Sequence, residues 1–328
     1  MFNVFIVDSA EAQHVSDAAI ESEALRGCAD VQLLVLNSES DFLPYAGRAD
    51  GIILWHHLHL GAALIERLSR TRIVVRTGVG YDNVDIAAAA ARGIPVSNVP
   101  DYGTEEVADH AIALALALVR QLKPLMQGAS RGVWEWRAAA ACRRVRELVF
   151  GVVGCGRIGT AAAVRAKALG FQTCFFDPYL PSGYEKAIGV ARRESLNELL
   201  QAADIVSIHT PLTPETHRMI SAPQFDLMKP SAFLINTARG AVVSHDALLE
   251  ALSAKRIAGA GLDVLEREPE GSQDISRFPN AIVTPHSAFY SQESMVELRR
   301  KAALTVRDAL LHGVLRNVVN QPLSPAAQ

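Results

Sequence analysis

The chain has 328 residues, 49% hydrophobic and 20% charged, with a formal net charge of −3. That is enough for about two domains with substantial apolar cores, and it lacks the basic excess that a nucleic-acid partner would require. The longest apolar run, residues 111–119, is too short for a bilayer span, no basic region precedes an apolar stretch at the amino terminus, and the four cysteines (Cys28, Cys142, Cys155, Cys174) form no C-x-x-C pair, so a cytoplasmic protein with reduced thiols and no membrane contact is expected.

The first hundred residues alternate short β-rich runs (4–7, 31–35, 51–54, 72–75 and 94–97) with helical patterns such as 62–68 and 86–92, the latter closed by Gly93. Strands separated by helices imply a parallel, doubly wound sheet. Between the third strand and the next helix lies His56-His57-Leu58-His59. It lacks a carboxylate or cysteine at ligand spacing, so a polar loop is expected there and no metal.

Pro100 ends the extended segment 97–99 and is taken as the crossover between domains. Thr104 is placed to cap a helix that starts near Glu105 and runs, rich in Ala and Leu, to Leu122. A helix apolar almost all round must be buried, between domains or between two copies of the chain. Trp134 and Trp136 flank the basic stretch Arg143-Arg144-Val145-Arg146; with a negative net charge they are read as surface and packing residues.

The run Leu148 to Val153 then reads as a buried strand, followed by Gly154-Cys155-Gly156-Arg157-Ile158-Gly159 and a helix start. In this G-x-G-x-x-G, Gly154 permits the tight turn, Gly156 lets the backbone approach a pyrophosphate, and Gly159 lets helix and strand pack closely. The free N–H groups of the helix amino terminus face the phosphates. The next strand, 172–176, ends at Asp177, whose carboxylate can accept from the ribose hydroxyls of the adenosine and would repel a 2′-phosphate. NAD(H) is therefore expected rather than NADP(H). Further strands at 204–208, 232–236, 259–264 and 281–283 make a second, larger doubly wound unit. From Glu293 to Leu311 the pattern is one helix, and residues 318–320 look extended, returning the chain to the first domain. The expected fold is α/β, with two doubly wound parallel-sheet domains of Rossmann or flavodoxin-like type: a discontinuous domain of residues 1–99 and 291–328, and a dinucleotide-binding domain of residues 100–290.

Ligands of such sheets bind beyond the carboxyl ends of the strands. Arg239, Glu268 and His286 each follow a strand of the second sheet. Hydride transfer to a keto acid needs a forked cation for the carboxylate and carbonyl, a proton carrier near neutral pH, and a carboxylate to orient the imidazole and stabilise its charged form. The three residues are one of each.

Asn236-Thr237-Ala238-Arg239-Gly240, the run Gly261 to Pro269 and Thr284-Pro285-His286 resemble the D-2-hydroxyacid dehydrogenases. So do the stretches Arg76 to Asp85, Ser97 to Pro100, Asp204 to Thr213 and the glycine loop, so that the resemblance runs through nearly the whole chain. Within the family, the stretches around Pro100 to Asp109, Ala166 to Phe171, Phe176 to Leu180 and after His286 are most similar to the C-terminal-binding-protein branch. That branch holds NAD(H)-binding co-regulators as well as enzymes.

The resemblance implies His286 as acid/base, Glu268 as its partner and Arg239 as the substrate anchor. It implies substrate contacts for Arg76 and for the backbone around Val79 and Gly80, and a nicotinamide-amide contact for Asp263. Thr104, Pro211 and Ala238 match cofactor-contacting positions, and Thr210 and Thr237 adjoin them. A glutamate at position 268, where formate dehydrogenases of the superfamily have glutamine, favours 2-keto acid reduction. Phe289 stands where the co-regulator branch has Trp. The expected activity is interconversion of a 2-keto acid and a D-2-hydroxy acid by a homodimer. The alternatives are an NAD(H)-sensing interaction module, or oxidation of another small anion such as phosphite.

Overall fold

The structure is a computed structural model and describes residues 1–321; the last seven residues of the segment expected at 291–328 lie outside the described residues. The chain divides into two compact units: Met1–Gly103 together with the chain from Ser291 onward, and Thr104–Tyr290.

The first unit is built on five parallel strands, β1 (Phe2–Ser9), β2 (Ala29–Leu36), β3 (Gly51–Leu54), β4 (Ile73–Arg76) and β5 (Val96–Asn98), in the order β2-β1-β3-β4-β5. β3 and β4 are buried along their whole length, as parallel strands covered on both faces should be. The helix Gln292–His312 packs on both of them. It is also tied to the helix Ala19–Ala24 by Arg299, which donates at 2.8 and 2.7 Å to the two carboxylate oxygens of the fully buried Glu21. The extended tail closes the sheet edge. Val318 bridges Ser97 in antiparallel fashion, and the Asn320 side chain accepts from the Val96 N–H and donates to the Ile94 carbonyl. The short strands and this tail fall where the sequence places them.

The second unit has seven parallel strands in the order β12-β11-β10-β9-β6-β7-β8, where β6 is Val149–Val153, β7 Gln172–Phe176, β8 Ala191–Arg192, β9 Ile205–Ile208, β10 Phe233–Asn236, β11 Gly259–Leu262 and β12 Ala281–Val283. The order reverses between β6 and β9, and the ligand crevice of such a sheet opens there, at the strands' carboxyl ends. Only the two-residue β8 escapes the sequence pattern, being too short to show a period.

One expected element divides. The long apolar helix runs Thr104–Val119, with Thr104 its first residue, and ends before Leu122. Gln121 turns left-handed at φ 54°, and a separate helix, Leu122–Ser130, follows. The burial expected for the first helix is met by its own unit, because Ala108, Ala111, Leu114, Ala115 and Leu118 pack towards β10, β11 and the helix Arg157–Ala168. The exposed apolar side chains come later, at Met126, Val133, Trp134 (93% exposed) and Trp136. Among the described residues no helix is long and apolar enough to cross a membrane.

Candidate active site

The glycine loop joins β6 to the helix Arg157–Ala168, with Gly156 as N-cap in extended conformation. Gly159 can be nothing else: a Cβ there would lie 2.0 Å from the Gly154 carbonyl oxygen. At Gly156, in contrast, nothing stands within 4 Å of where a Cβ would point, so the backbone is open to an incoming group. Arg157 and Ile158 begin the helix and present its free N–H groups at that opening.

Asp177, past the end of β7, is held by the same loop. Its Oδ2 accepts from the Cys155 N–H at 2.9 Å and its Oδ1 from the Tyr179 N–H at 3.0 Å. Two fixed N–H donors aim the carboxylate and leave further lone pairs for hydroxyl donors.

Beyond β9 and β10 stand three buried polar atoms with no hydrogen-bond partner among the described residues: His209 Nδ1, Thr210 Oγ1 and Thr237 Oγ1. Buried polar groups are rarely left unpaired, and a cluster of them beside an open glycine loop fits a polar ligand. Together with the cradle at Gly156, they fit a dinucleotide. Thr210 and Thr237 are among the residues the sequence singles out. His209 lies in the same motif, where nothing in its neighbours' identity marks it for a role. Its other nitrogen, Nε2, is 2.8 Å from Ser207 Oγ, and burial holds its pKa at about 4, so the ring is neutral. Pro211 is exposed at the same edge, and Ala238 is fixed by its N–H donating to Asn236 Oδ1 at 3.0 Å.

The three chemistry-bearing residues come from three strand ends. The loop after β10 is shaped by the buried Asn236, whose side chain also donates to the Arg239 carbonyl at 3.0 Å. Arg239 Nη1 donates to the Ala238 carbonyl at 2.8 Å. After β12, His286 adopts left-handed backbone, φ 52°, a conformation that costs energy in a non-glycine residue and clusters at functional sites. Its Nδ1 lies 3.0 Å from Glu268 Oε2, while Glu268 Oε1 accepts from the Leu265 N–H at 2.8 Å. Burial pushes the Glu268 carboxyl up. The hydrogen bond and charge of His286, the Leu265 N–H and the Arg239 charge outweigh it and hold the carboxyl below its ordinary value. Phe289 meets the His286 ring edge-on, with centroids 6.4 Å apart.

Asp263, 2% exposed, anchors the loop that carries His286. Its Oδ1 accepts from the Ser287 N–H at 2.9 Å and its Oδ2 from the Ala288 N–H at 2.8 Å, and its carbonyl accepts from the His286 N–H at 2.9 Å.

In the first unit, Arg76 ends β4 almost fully buried. Its Nε donates to Asn83 Oδ1 at 3.2 Å and its Nη1 to the Thr77 carbonyl at 3.0 Å. The Val79 carbonyl accepts from Asn98 Nδ2 at 2.6 Å, which fixes the turn that leads into Gly80. Of the histidine run, His56 and His57 join a stack of rings with His14, whose centroid lies 4.9 and 5.5 Å from theirs and 5.0 Å from that of Trp55. Among the described residues no three His, Cys, Asp or Glu side chains are disposed to hold a metal.

Residues 112–288 match the model of the family described as D-isomer specific 2-hydroxyacid dehydrogenase, NAD binding domain. A D-3-phosphoglycerate dehydrogenase of Synechocystis is 34% identical over 92% of this chain and 54% of its own length; one of Methanocaldococcus jannaschii is 32% identical over 90% and 56%. The chain thus spans about half the length of these curated relatives. Two solved structures resemble it over nearly its whole length. A D-lactate dehydrogenase from Aquifex aeolicus, complexed with NAD and lactic acid, is 28% identical, covers 99% of this chain and 100% of its own, and has a TM-score of 0.86. An NADPH-dependent glyoxylate/hydroxypyruvate reductase from Sinorhizobium meliloti, in complex with NADP and malonate, is 29% identical, covers 100% and 99%, and has a TM-score of 0.86.

Proposed function

Because the chain belongs to the D-isomer specific 2-hydroxyacid dehydrogenase family, we propose that it interconverts a 2-keto acid and a D-2-hydroxy acid with NAD(H). The observation that carries this reading is the 3.0 Å contact between His286 Nδ1 and Glu268 Oε2, at the strand ends of a sheet whose glycine loop fits a dinucleotide.

Glu268 Oε2 accepts a hydrogen bond from Nδ1–H, so Nε2 is the nitrogen left to face substrate. A carboxylate on one side of the ring favours its charged form and keeps a proton on Nε2 for the carbonyl oxygen. Arg239 binds the substrate carboxylate and draws charge towards that same oxygen, where it and His286 together meet the developing negative charge. The dinucleotide, when bound, supplies or takes up the hydride. Arg76 and the backbone at Val79 and Gly80 are proposed as further substrate contacts. Asp177 is the proposed ribose acceptor, with Thr104, Thr210, Pro211, Thr237 and Ala238 as additional cofactor contacts. Phe289 beside the imidazole favours a small or apolar substituent on the substrate. Within the family we place the chain nearest the C-terminal-binding-protein branch, on its sequence motifs.

We further propose a homodimer in the cytoplasm. The apolar side chains exposed between Leu122 and Trp136 suit a contact with a second copy, and four free cysteines suit a reducing compartment. Sedimentation of the wild type and of a Trp134→Glu/Trp136→Glu variant tests the dimer.

The activity is tested by following NADH consumption with glyoxylate, pyruvate, hydroxypyruvate and phosphohydroxypyruvate, followed by chiral analysis of the product. Saturable turnover to the D-isomer is expected with at least one. Absence of turnover with all four, in protein that binds NADH, would set the reading aside in favour of a cofactor-binding role.

A further inference from the structure

We propose that His110 is a positioning residue for His286, acting through Thr284 and Asp263. The helix Thr104–Val119 lies directly on β11 because Gly261 has no side chain. A Cβ there would meet Leu114 Cβ and Ile235 Cδ1 at 3.0 Å and Leu118 Cδ1 at 3.3 Å. One turn before Leu114 the helix carries His110, and two residues beyond Gly261 the strand end carries Asp263.

Thr284 stands between the two. His110 Nε2 is 2.9 Å from Thr284 Oγ1, and Thr284 Oγ1 donates to Asp263 Oδ1 at 2.5 Å. The direct separation from His110 Nε2 to Asp263 Oδ1 is 3.7 Å. Since the threonine proton goes to the carboxylate, its oxygen accepts, and Nε2 of His110 is the donor. The result is a chain of imidazole N–H, hydroxyl and carboxylate, in which each bond polarises the next.

What that chain holds is the loop of the proton carrier. Asp263 takes the N–H groups of His286, Ser287 and Ala288, so that His286 and the two residues after it hang on one buried aspartate. A left-handed non-glycine backbone such as that of His286 persists only where its surroundings impose it. Packing does not call for an imidazole at position 110: the side chain is 25% exposed, and an apolar residue would fill the same helical position without the bond. His110 therefore sets how firmly Asp263 is held, and through the loop the 3.0 Å contact between His286 and Glu268. Among the described residues, Asp263 is the charged group at His110 and Glu268 the one at His286, with Arg239 acting on Glu268 in turn.

The inference rests on His286 being the proton carrier, so its test reads the ring itself rather than turnover. Imidazole nitrogen NMR of the full chain, with His286 assigned from its absence in His286→Asn, gives the apparent pKa of that ring in each variant. His110→Phe is expected to lower it by about half a unit or more, because a loosened loop weakens the bond to Glu268. Thr284→Val should lower it equally, and the double variant no further than either alone. His110→Gln, which keeps an N–H donor at the same reach, should restore it. Removing a cationic His110 that acted only through its field would raise the His286 pKa instead, and a merely structural role would lower thermal stability with the pKa in place. Either result, or additive effects in the double variant, overturns the proposal. If His110→Phe does not fold, Thr284→Val carries the same comparison. Loss of keto-acid turnover in the wild type, with the titration behaving as expected, would count against the dehydrogenase reading alone.

Discussion

Nδ1 of His286 lies 3.0 Å from Oε2 of Glu268 although the two residues stand on different loops, 18 positions apart in the chain. One buried carboxylate and one backbone N–H set up this contact. Asp263 fixes the loop of His286, and the Leu265 N–H fixes the far oxygen of Glu268. The imidazole thus has a charged partner whose own orientation is settled before substrate arrives, which lowers the reorganisation needed at the moment of proton transfer.

Replacing His286 with alanine should cut turnover by about two orders of magnitude or more while leaving NADH affinity nearly unchanged, because the ring carries the proton and not the dinucleotide. Glu268→Gln should preserve much of the hydrogen bonding but remove the charge that favours imidazolium. The profile for keto-acid reduction should move towards lower pH. Stopped-flow turnover across pH, with NADH binding followed by fluorescence, checks both. Wild-type turnover in His286→Ala would rule the ring out as acid/base.

The parts of this site that could be read from the sequence are those where local residue chemistry decides the structure. The run from Leu148 to Asp177 is one: a buried strand, three glycines at fixed spacing, a helix and an acid at the next strand's end permit few other arrangements. The placement of Arg239, Glu268 and His286 after three strands followed from the same logic of parallel sheets. What the sequence did not reveal depends on contacts distant along the chain. The Asp263 anchor involves residues 23 to 25 positions away, and the partnership of His110 with Thr284 spans 174. The break at Gln121 is hidden because the apolar pattern continues through it, while the backbone there turns left-handed in a residue that does not advertise it.

Asp177 should confer a preference for NADH. Its carboxylate is fixed by the Cys155 and Tyr179 N–H groups, and the neighbouring cation, Arg192, is already engaged: its Nη2 donates to the Leu180 and Pro181 carbonyls at 3.2 and 2.7 Å. A 2′-phosphate would face that carboxylate while Arg192 is committed to backbone carbonyls. We expect catalytic efficiency with NADH to exceed that with NADPH by at least about tenfold, roughly 1.4 kcal/mol, and Asp177→Ser to narrow the gap. Equal efficiencies in the wild type would remove Asp177 from this role.

Gly159→Ala should weaken NADH binding while the protein still folds. The added methyl would lie 2.0 Å from the Gly154 carbonyl oxygen and 3.1 Å from Val152 Cγ1, so the helix has to retreat from the glycine loop. The helix amino terminus would then no longer meet the pyrophosphate, while the rest of the unit keeps its core. Circular dichroism near wild type together with an NADH dissociation constant raised by about a hundredfold, roughly 2.7 kcal/mol, is the expected result. Unchanged affinity would show that helix and strand can separate there at no consequence to the cofactor.

Stability should fall in two separate steps on the acid side. His209 is held neutral by burial, with a pKa of about 4 against 6.5 for an unburied imidazole. Between those values the unfolded chain takes up a proton that the folded one refuses, so stability is full above pH 6.5 and declines by about 2 to 3 kcal/mol as pH falls towards 4. Asp8 and Asp204 act in the same sense but in a lower window. Burial works to raise their carboxyls, but the His14 imidazole and the backbone N–H groups of His14, Val15 and Ser9 on Asp8, and the Val149 N–H with Arg143 and Lys229 on Asp204, hold both below 3.8. The stability they contribute is complete above pH 3.8 and is lost only below it. Urea midpoints measured from pH 8 to pH 3 should therefore drop first in the His209 window and again below it. His209→Asn should flatten the first drop and leave the second, and Asp204→Asn should diminish the second at the cost of lower stability at neutral pH. A first drop that survives His209→Asn would place its origin in another group.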